Sequence, residues 1–406
     1  MTINARGRQH RILPLLIVSL LIALGSTAIS GIPIGETGTG DPAIVAAGDI
    51  ACDPAAASFD GGLGSATACR QQATANLIGN IKPAAVLTLG DTQYYCGGYT
   101  AFLESYDLSW GQFRSITFPA VGNHEYLTQT SSSGLGTGCD STNANAAGYF
   151  KYFGAAAGDP SQGYYSYDLG TWHLIALNSN CANAGGCNST SPQGQWLNAD
   201  LAAHPHQCIL AYWHIPLWSS GGRAELNMQA ATQTLYNYKA DVVLTGHDHI
   251  YERFAPQDPE GNLDPTNGIR AFVVGTGGAR HSSIATLAPN SEITNTKTFG
   301  VLELTLHPGS YGWQFVPENV GGFRDSGMQD CHNQPLGTAT GSATSTETPT
   351  STPTPISTRT PKPTETTTLT PTPTQMATPI PEIILTPTLV AQPKTGNSVY
   401  LPNIVR

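Results

Sequence analysis

The sequence predicts an α/β fold built around largely parallel sheet. Three observations carry this: short apolar runs of strand length, helix-like stretches between them, and glycine with polar residues closing most of the runs. The runs AIVAA, AAVLTL, ITFPAV, CILAYW, DVVLT and IRAFVV do not alternate apolar with polar residues, as expected of strands covered on both faces. The stretches CRQQATANLIGNI, YTAFLESYDLSW, SPQGQWLNADLAAH and NMQAATQTLYNYKA have helical composition. Strand alternating with helix argues for βαβ units. The aromatic segments GYYSYDL and TWHLIALN read as an antiparallel meander inserted between these units.

The ends of the chain differ in composition from its middle. Residues 1–30 read as a signal peptide: Arg6, Arg8 and Arg11 precede the apolar run 12–24, and Gly25, Ser26 and Ala28 follow it. An uncleaved anchor is the alternative, but the run is short for a bilayer span, so no transmembrane anchor is expected. Residues 337–394 are dominated by Thr, Pro and Ser. Such a segment buries too little surface to offset its ordering entropy, and is expected to form a disordered Thr/Pro-rich stalk of the kind that carries O-linked glycans. Residues 395–406 form a short tail of unknown role. Residues 41–331 remain as a catalytic domain long enough to bury roughly 75% of its unfolded-chain surface.

A secretory start places the 8 cysteines in an oxidising compartment and makes disulfides the expectation. About 105 connectivities are open to eight cysteines. Cys181 with Cys187 inside CANAGGC is the first choice; Cys52–Cys69, Cys96–Cys139 and Cys208–Cys331 complete one arrangement. Only 11% of residues are charged and the net charge is −10. Without a basic run, a nucleic-acid or anionic-membrane surface is not expected. An anionic substrate would have to be attracted by local cations, which bound metals supply.

The polar residues that end the runs are of metal-binding type: Gly48-Asp49, Gly90-Asp91-Thr92-Gln93-Tyr94, Gly122-Asn123-His124-Glu125, His214, and Gly246-His247-Asp248-His249. In an open α/β sheet the carboxyl ends of the strands converge on one crevice, so these distant positions meet there. Carboxylate, imidazole, amide and phenol donors without thiolates suit Fe, Zn or Mn. Each motif alone is an ordinary turn or a packed histidine; turn chemistry does not demand all of them in this order.

At this point the chain resembles the calcineurin-like metallophosphoesterases, and within them the purple acid phosphatase branch. The matching elements are GD at 48–49, GDTQY at 90–94, GNHE at 122–125, YWHIP at 212–216 and GHDHIYER at 246–253, within a resemblance covering residues 44–316. Two features mark the branch. The first motif, Asp49-Ile50-Ala51, lacks a histidine two residues on, and Tyr94 stands where that branch places a phenolate ligand.

The resemblance implies a two-sheet α/β/β/α sandwich, in a compact version without an N-terminal β-sandwich. It implies that Asp49, Tyr94 and His249 hold one ion, that Asn123, His214 and His247 hold a second, and that Asp91 bridges them. The ions would be Fe(III) plus divalent Fe, Zn or Mn. The implied activity is secreted or cell-surface hydrolysis of small-molecule phosphate monoesters by direct attack of solvent-derived hydroxide, with His124 stabilising the phosphoryl oxygens or protonating the leaving group. A phosphodiesterase on nucleotides or lipid head groups is the alternative, and a non-catalytic metal-binding module on the stalk is a further one. Relatives often carry more histidines after the third metal-binding one, whereas here Ile215 follows His214. Arg223 and the pair Arg280-His281 are the nearest candidates for substrate contact.

Overall fold

The computed structural model describes residues 40–205 and 208–333, so the expected signal peptide, stalk and tail lie outside the described residues. The predicted runs form the parallel cores of two sheets. In the first, β1 (Ala43–Ala47), β2 (Ala85–Leu89) and β3 (Thr117–Ala120) lie side by side and parallel. The second begins with β4 (Tyr165–Leu169) antiparallel to β5 (Trp172–Ala176). It continues in parallel through β6 (Cys208–Tyr212), β7 (Val242–Thr245) and, beyond β8 (Tyr251–Phe254), β9 (Arg270–Val274). After β10 (Ser291–Asn295) the chain returns to the first sheet as the antiparallel strands β11 (Gly300–His307), β12 (Ser310–Pro317) and β13 (Ser326–Asp330). The strand orders are β13-β12-β11-β1-β2-β3 and β10-β8-β9-β7-β6-β5-β4.

The runs are apolar throughout because each strand serves two cores. In β6, Leu210 and Tyr212 join Ile44, Leu87 and Leu304 of the first sheet in the inter-sheet core. Their neighbours Ile209 and Ala211 point the other way, onto Leu197 and Leu201 of α4 (Pro192–Ala203) and Leu235 of α5 (Gln229–Asn237). Helix α4 begins where Ser191 accepts the Gly194 N–H and Pro192 fixes the first helical φ. On the first sheet, α1 (Gln71–Ile81) contributes Ala75 and Ile78. The result is the expected α/β/β/α sandwich.

Two local expectations are corrected. YTAFLESYDLSW is not one helix but α2 (Tyr99–Ala101), a π-type segment Phe102–Tyr106 and a 3-10 segment Trp110–Ile116. The Gln93 side chain takes the Tyr106 N–H, while Asp107 N–H reaches back five residues to Phe102, so the ordinary helical ladder is lost. The aromatic meander is not a separate insertion, since β5 pairs in parallel with β6 and the hairpin becomes the edge of the second sheet. A further short helix, α3 (Ala147–Phe153), packs aromatic side chains into the inter-sheet core. The disulfides are Cys52–Cys69, Cys96–Cys139, Cys181–Cys187 and Cys208–Cys331.

Candidate metal centre

The two sheets meet at the carboxyl ends of their parallel strands. Gly48 N–H donates to Val274 of the second sheet, and Gly277 N–H donates back to Gly48. The loops that leave β1, β2, β3, β6 and β7 therefore converge, bringing Asp49, Asp91, Tyr94, Asn123, His214, His247 and His249 together. Close approach dictates glycine at two positions. A Cβ at Gly122 would lie 2.1 Å from the Asp91 nitrogen, and one at Gly90, whose φ is +80°, would lie 2.6 Å from the His214 ring. Asp49, Asp91 and His247 themselves adopt left-handed φ of 59°, 46° and 70°. Such backbone costs on the order of 1–3 kcal/mol per residue and clusters at functional sites.

The donors form two groups that share one carboxylate. The Tyr94 hydroxyl lies 2.9 Å from Asp49 Oδ1, 3.1 Å from Asp91 Oδ2 and 3.0 Å from His249 Nε2. His214 Nε2 lies 3.0 Å from Asn123 Oδ1, 3.2 Å from Asp91 Oδ1 and 3.2 Å from His247 Nδ1. Asp91 thus turns one oxygen to each group. Backbone carbonyls set the imidazole tautomers: His214 Nδ1 donates to Leu89 at 2.8 Å and His249 Nδ1 donates to Arg280 at 2.7 Å. Both Nε2 atoms therefore face the centre, the arrangement typical of metal-binding histidine.

Hydrogens are too few for these contacts. With neutral imidazoles whose Nδ1 atoms are held by backbone carbonyls, a single phenolic hydrogen serves Asp49 Oδ1, Asp91 Oδ2 and His249 Nε2 in the first group, and in the second Asp91 Oδ1 takes the His124 N–H while His214 Nε2 and His247 Nδ1 face each other at 3.2 Å. Buried acceptors facing one another without donors are unfavourable, and a cation removes the conflict. The residues present therefore fit two metal ions.

Among the protein's own charges, burial would raise Asp49 and Asp91, but His249 beside the first and His214 beside the second hold both below the usual carboxylate range. His214 is raised to about 9: burial opposes its charge and Asp91 outweighs that. His247 is pushed down to about 4 by burial and by His214. The Tyr94 phenol is pushed well above its ordinary value by burial, Asp49 and Asp91.

His124 sits beside the donors rather than among them. Its Nδ1 contacts the Tyr95 carbonyl at 2.7 Å, its Nε2 lies 3.9 Å from Asp91 Oδ2, and its ring is held edge-on by Tyr94 and Tyr95. With 21% of its side chain exposed, it faces the open side.

Of the proposed substrate contacts, Arg223 is placed at the rim by Asp248 Oδ1 at 2.9 Å, and its Nη2 reaches Ser282 Oγ at 3.1 Å. Arg280 is exposed, and only its carbonyl contacts the centre. His281 is corrected: its ring stacks on Phe299 at 4.0 Å with both nitrogens buried and without hydrogen-bond partners, so it presents nothing to a substrate.

Two residues that matter to the geometry were not singled out from sequence. Glu125 is fully buried and accepts the N–H groups of Gly122, Asp91, Thr92 and Gln93, tying the second loop to the third. Burial and the nearby Asp91 raise it to about 7. Asp248, between two of the histidines, accepts from Ser219 and Arg223 and fixes their loop. Their presence inside GNHE and GHDH was the available signal.

A family model described as calcineurin-like phosphoesterase matches residues 43–251. The chain belongs to that family. Purple acid phosphatase 15 of Arabidopsis thaliana is 29% identical over 176 residues, 40% of this chain and 30% of that protein. Purple acid phosphatase 22 of the same plant is 32% identical over 124 residues, 29% of this chain and 27% of that protein. The alignments thus span less than a third of either relative. Purple acid phosphatase PPD1 from yellow lupin (Lupinus luteus) seeds shares the fold, with a TM-score of 0.55 and 20% identity over 72% of this chain and 54% of that one. The sequence matches to purple acid phosphatases support the purple acid phosphatase-like branch of this family, and the lupin structure shows the shared fold.

Proposed function

We propose that this protein is a metal-dependent phosphoric ester hydrolase that cleaves phosphate monoesters at a dinuclear centre. The observation that carries this reading is the division of Asp91, one oxygen toward Tyr94 and the other toward His214. Asp49, Tyr94 and His249 would hold one ion and Asn123, His214 and His247 the other, with Asp91 shared. The first group joins phenol and carboxylate to imidazole, which suits Fe(III); the second suits divalent Fe, Zn or Mn. When bound, two such ions neutralise phosphoryl oxygens and acidify water.

The chain's own residues supply position and a proton. Glu125 and Asp248 hold the donor loops rigid. His124, its Nδ1 held by Tyr95, directs Nε2 toward the leaving oxygen and protonates it as the ester P–O bond breaks and a solvent oxygen joins phosphorus. Arg223 at the rim contacts the substrate's phosphate or its leaving portion. Four disulfides favour an oxidising, extracellular setting. Among the described residues no helix is long and apolar enough to cross a membrane. Residues 41–331 would act as the catalytic domain, with the stalk and tail giving cell-surface association.

Turnover of a nitrophenyl phosphate monoester and its diester, before chelation, after it and after reloading with iron and zinc, tests the reading. Monoester hydrolysis that disappears with the metal and returns on reloading is expected. Turnover that persists without metal, or a preference for the diester, would contradict it.

A further inference from the structure

At the edge of the metal centre one buried carboxylate joins three loops. Asp53 stands in the loop that leaves β1, a short way past Asp49, and is 1% exposed. Its Oδ1 accepts the Ala55 N–H and the Thr137 hydroxyl, both at 2.8 Å. Its Oδ2 accepts the Thr137 N–H at 2.8 Å and, from the loop that leaves β2, the Tyr95 N–H at 3.3 Å. A buried charge is costly unless its oxygens are filled, and here donors from its own loop, from the loop after β2 and from the loop that follows β3 fill them.

We infer that Asp53 is a positioning residue that fixes Tyr95 and so aims His124, an inference that rests on the proton-donor role proposed for His124 above. Tyr95 holds that imidazole in two ways. Its carbonyl takes the Nδ1 hydrogen at 2.7 Å, and its ring stands edge-on to the imidazole with centroids 4.8 Å apart. Asp53 takes the N–H of the same residue, so the path from Asp53 to His124 runs through Tyr95 alone. Tyr94, next door, is held differently: its N–H donates to the Ala51 carbonyl at 2.8 Å, and its hydroxyl lies among the metal donors. Loss of Asp53 should therefore loosen His124 and leave the metal donors in place.

The surrounding chain keeps such a change local. Cys52, beside Asp53, is tied to Cys69, and Cys96, beside Tyr95, is tied to Cys139, which follows Thr137 closely. Asp53→Ala removes every acceptor from the junction. Asp53→Asn is milder, because its carbonyl oxygen can stay on the Tyr95 and Thr137 N–H groups while its NH2 turns toward the Ala55 N–H.

The test compares kcat on two monoesters with the full-length, metal-reloaded enzyme. One is an alkyl phosphate, whose poor leaving oxygen needs a proton; the other is dinitrophenyl phosphate, whose leaving phenolate does not. Asp53→Ala should keep both ions, lose roughly tenfold or more on the alkyl ester, and lose less than about threefold on the dinitrophenyl ester, a part of the ~10²–10⁴ of a missing proton donor. Asp53→Asn should show the same pattern at about three- to fivefold, and it carries the test alone if near-UV circular dichroism finds Asp53→Ala unfolded. Added to His124→Ala, either change should cost less than about threefold on both esters, since the two residues act on one proton transfer. Equal losses on the two esters, a lost ion, or a full further loss in the His124→Ala background would overturn the proposal and leave Asp53 a support of the loops only. His124→Ala that slows both esters equally would instead overturn the proton-donor reading, and the positioning role with it.

Discussion

Two clusters of buried polar side chains in this molecule are built on opposite plans. Between β8 of the second sheet and β12 of the first, Asp325 accepts from the Tyr251 hydroxyl at 2.7 Å, from Arg253 Nε at 2.7 Å and from Trp313 Nε1 at 3.2 Å. Glu292 accepts from Arg253 and Arg270, and both guanidinium groups lie over the Trp313 ring. Every strong acceptor there meets a donor. In the centre around Asp91, acceptors face acceptors and three of the residues occupy left-handed backbone. The first arrangement is complete in itself and holds the fold together. The second gathers carboxylate, phenol and imidazole groups that bound cations would complete, and its strain is tolerated because the two sheets fix the loops from both sides.

The largest expected effect lies at the shared carboxylate. Asp91→Ala should lower turnover by more than the ~10²–10³ typical of losing one stabilising donor, because both donor groups lose a member. Steady-state rates on the monoester measure this. A variant within tenfold of wild type would end the distinction between the two clusters.

His124→Ala sharpens the contrast within the centre. It should keep both ions and lose roughly 10²–10⁴ in rate, as expected for a missing proton donor. Metal analysis of the same preparation decides the point, since loss of an ion would make His124 a ligand.

Tyr94→Phe should abolish the visible phenolate-to-iron absorption of iron-loaded protein while the second ion stays bound. Wild type that is colourless when iron-replete, or colour that survives the substitution, would move the iron assignment away from Tyr94.

The smallest effect belongs to the self-sufficient cluster. Burial pushes the Asp325 carboxyl up, but Arg253 and the hydrogen bonds from Tyr251 and Trp313 outweigh burial and hold it below its usual range. Its folded value therefore lies below the unfolded value of about 3.9. The stability it contributes is fully present above that unfolded value and is lost as pH falls through the folded one. Asp325→Asn should cost about 1.5–3 kcal/mol at neutral pH by removing one of the two carboxylates that face Arg253, leave the monoester rate unchanged, and flatten the decline in stability below about pH 4. Denaturant unfolding between pH 3 and 7 checks both signs.

The same comparison explains what the sequence made legible. The centre could be read because Asp49, Asp91, Asn123 and His247 each follow a glycine at the end of an apolar run and the other donors stand close to such run ends, so short motifs carry the chemistry. The self-sufficient cluster could not. Arg253 closes the GHDHIYER motif, yet its partner Asp325 lies 72 residues on, and no motif joins them. Likewise β1, β2, β6 and β7 were visible as continuous apolar runs because two cores bury them. In β12 inward Tyr311, Trp313 and Phe315 alternate with more open residues, so it lacks that signature. His281 misled because a histidine beside an arginine in a loop looks like a substrate contact, whereas its packing on Phe299 depends on a residue 18 positions later that only the fold brings near.

The most direct measurement is the metal content of purified Asp91→Ala beside wild type, both reloaded with iron and zinc. Two ions per chain in the parent and loss of both in the Asp91 variant is the predicted result. An Asp91 variant that still holds two ions, or that loses only one, would contradict the assignment of Asp91 as the carboxylate shared between them.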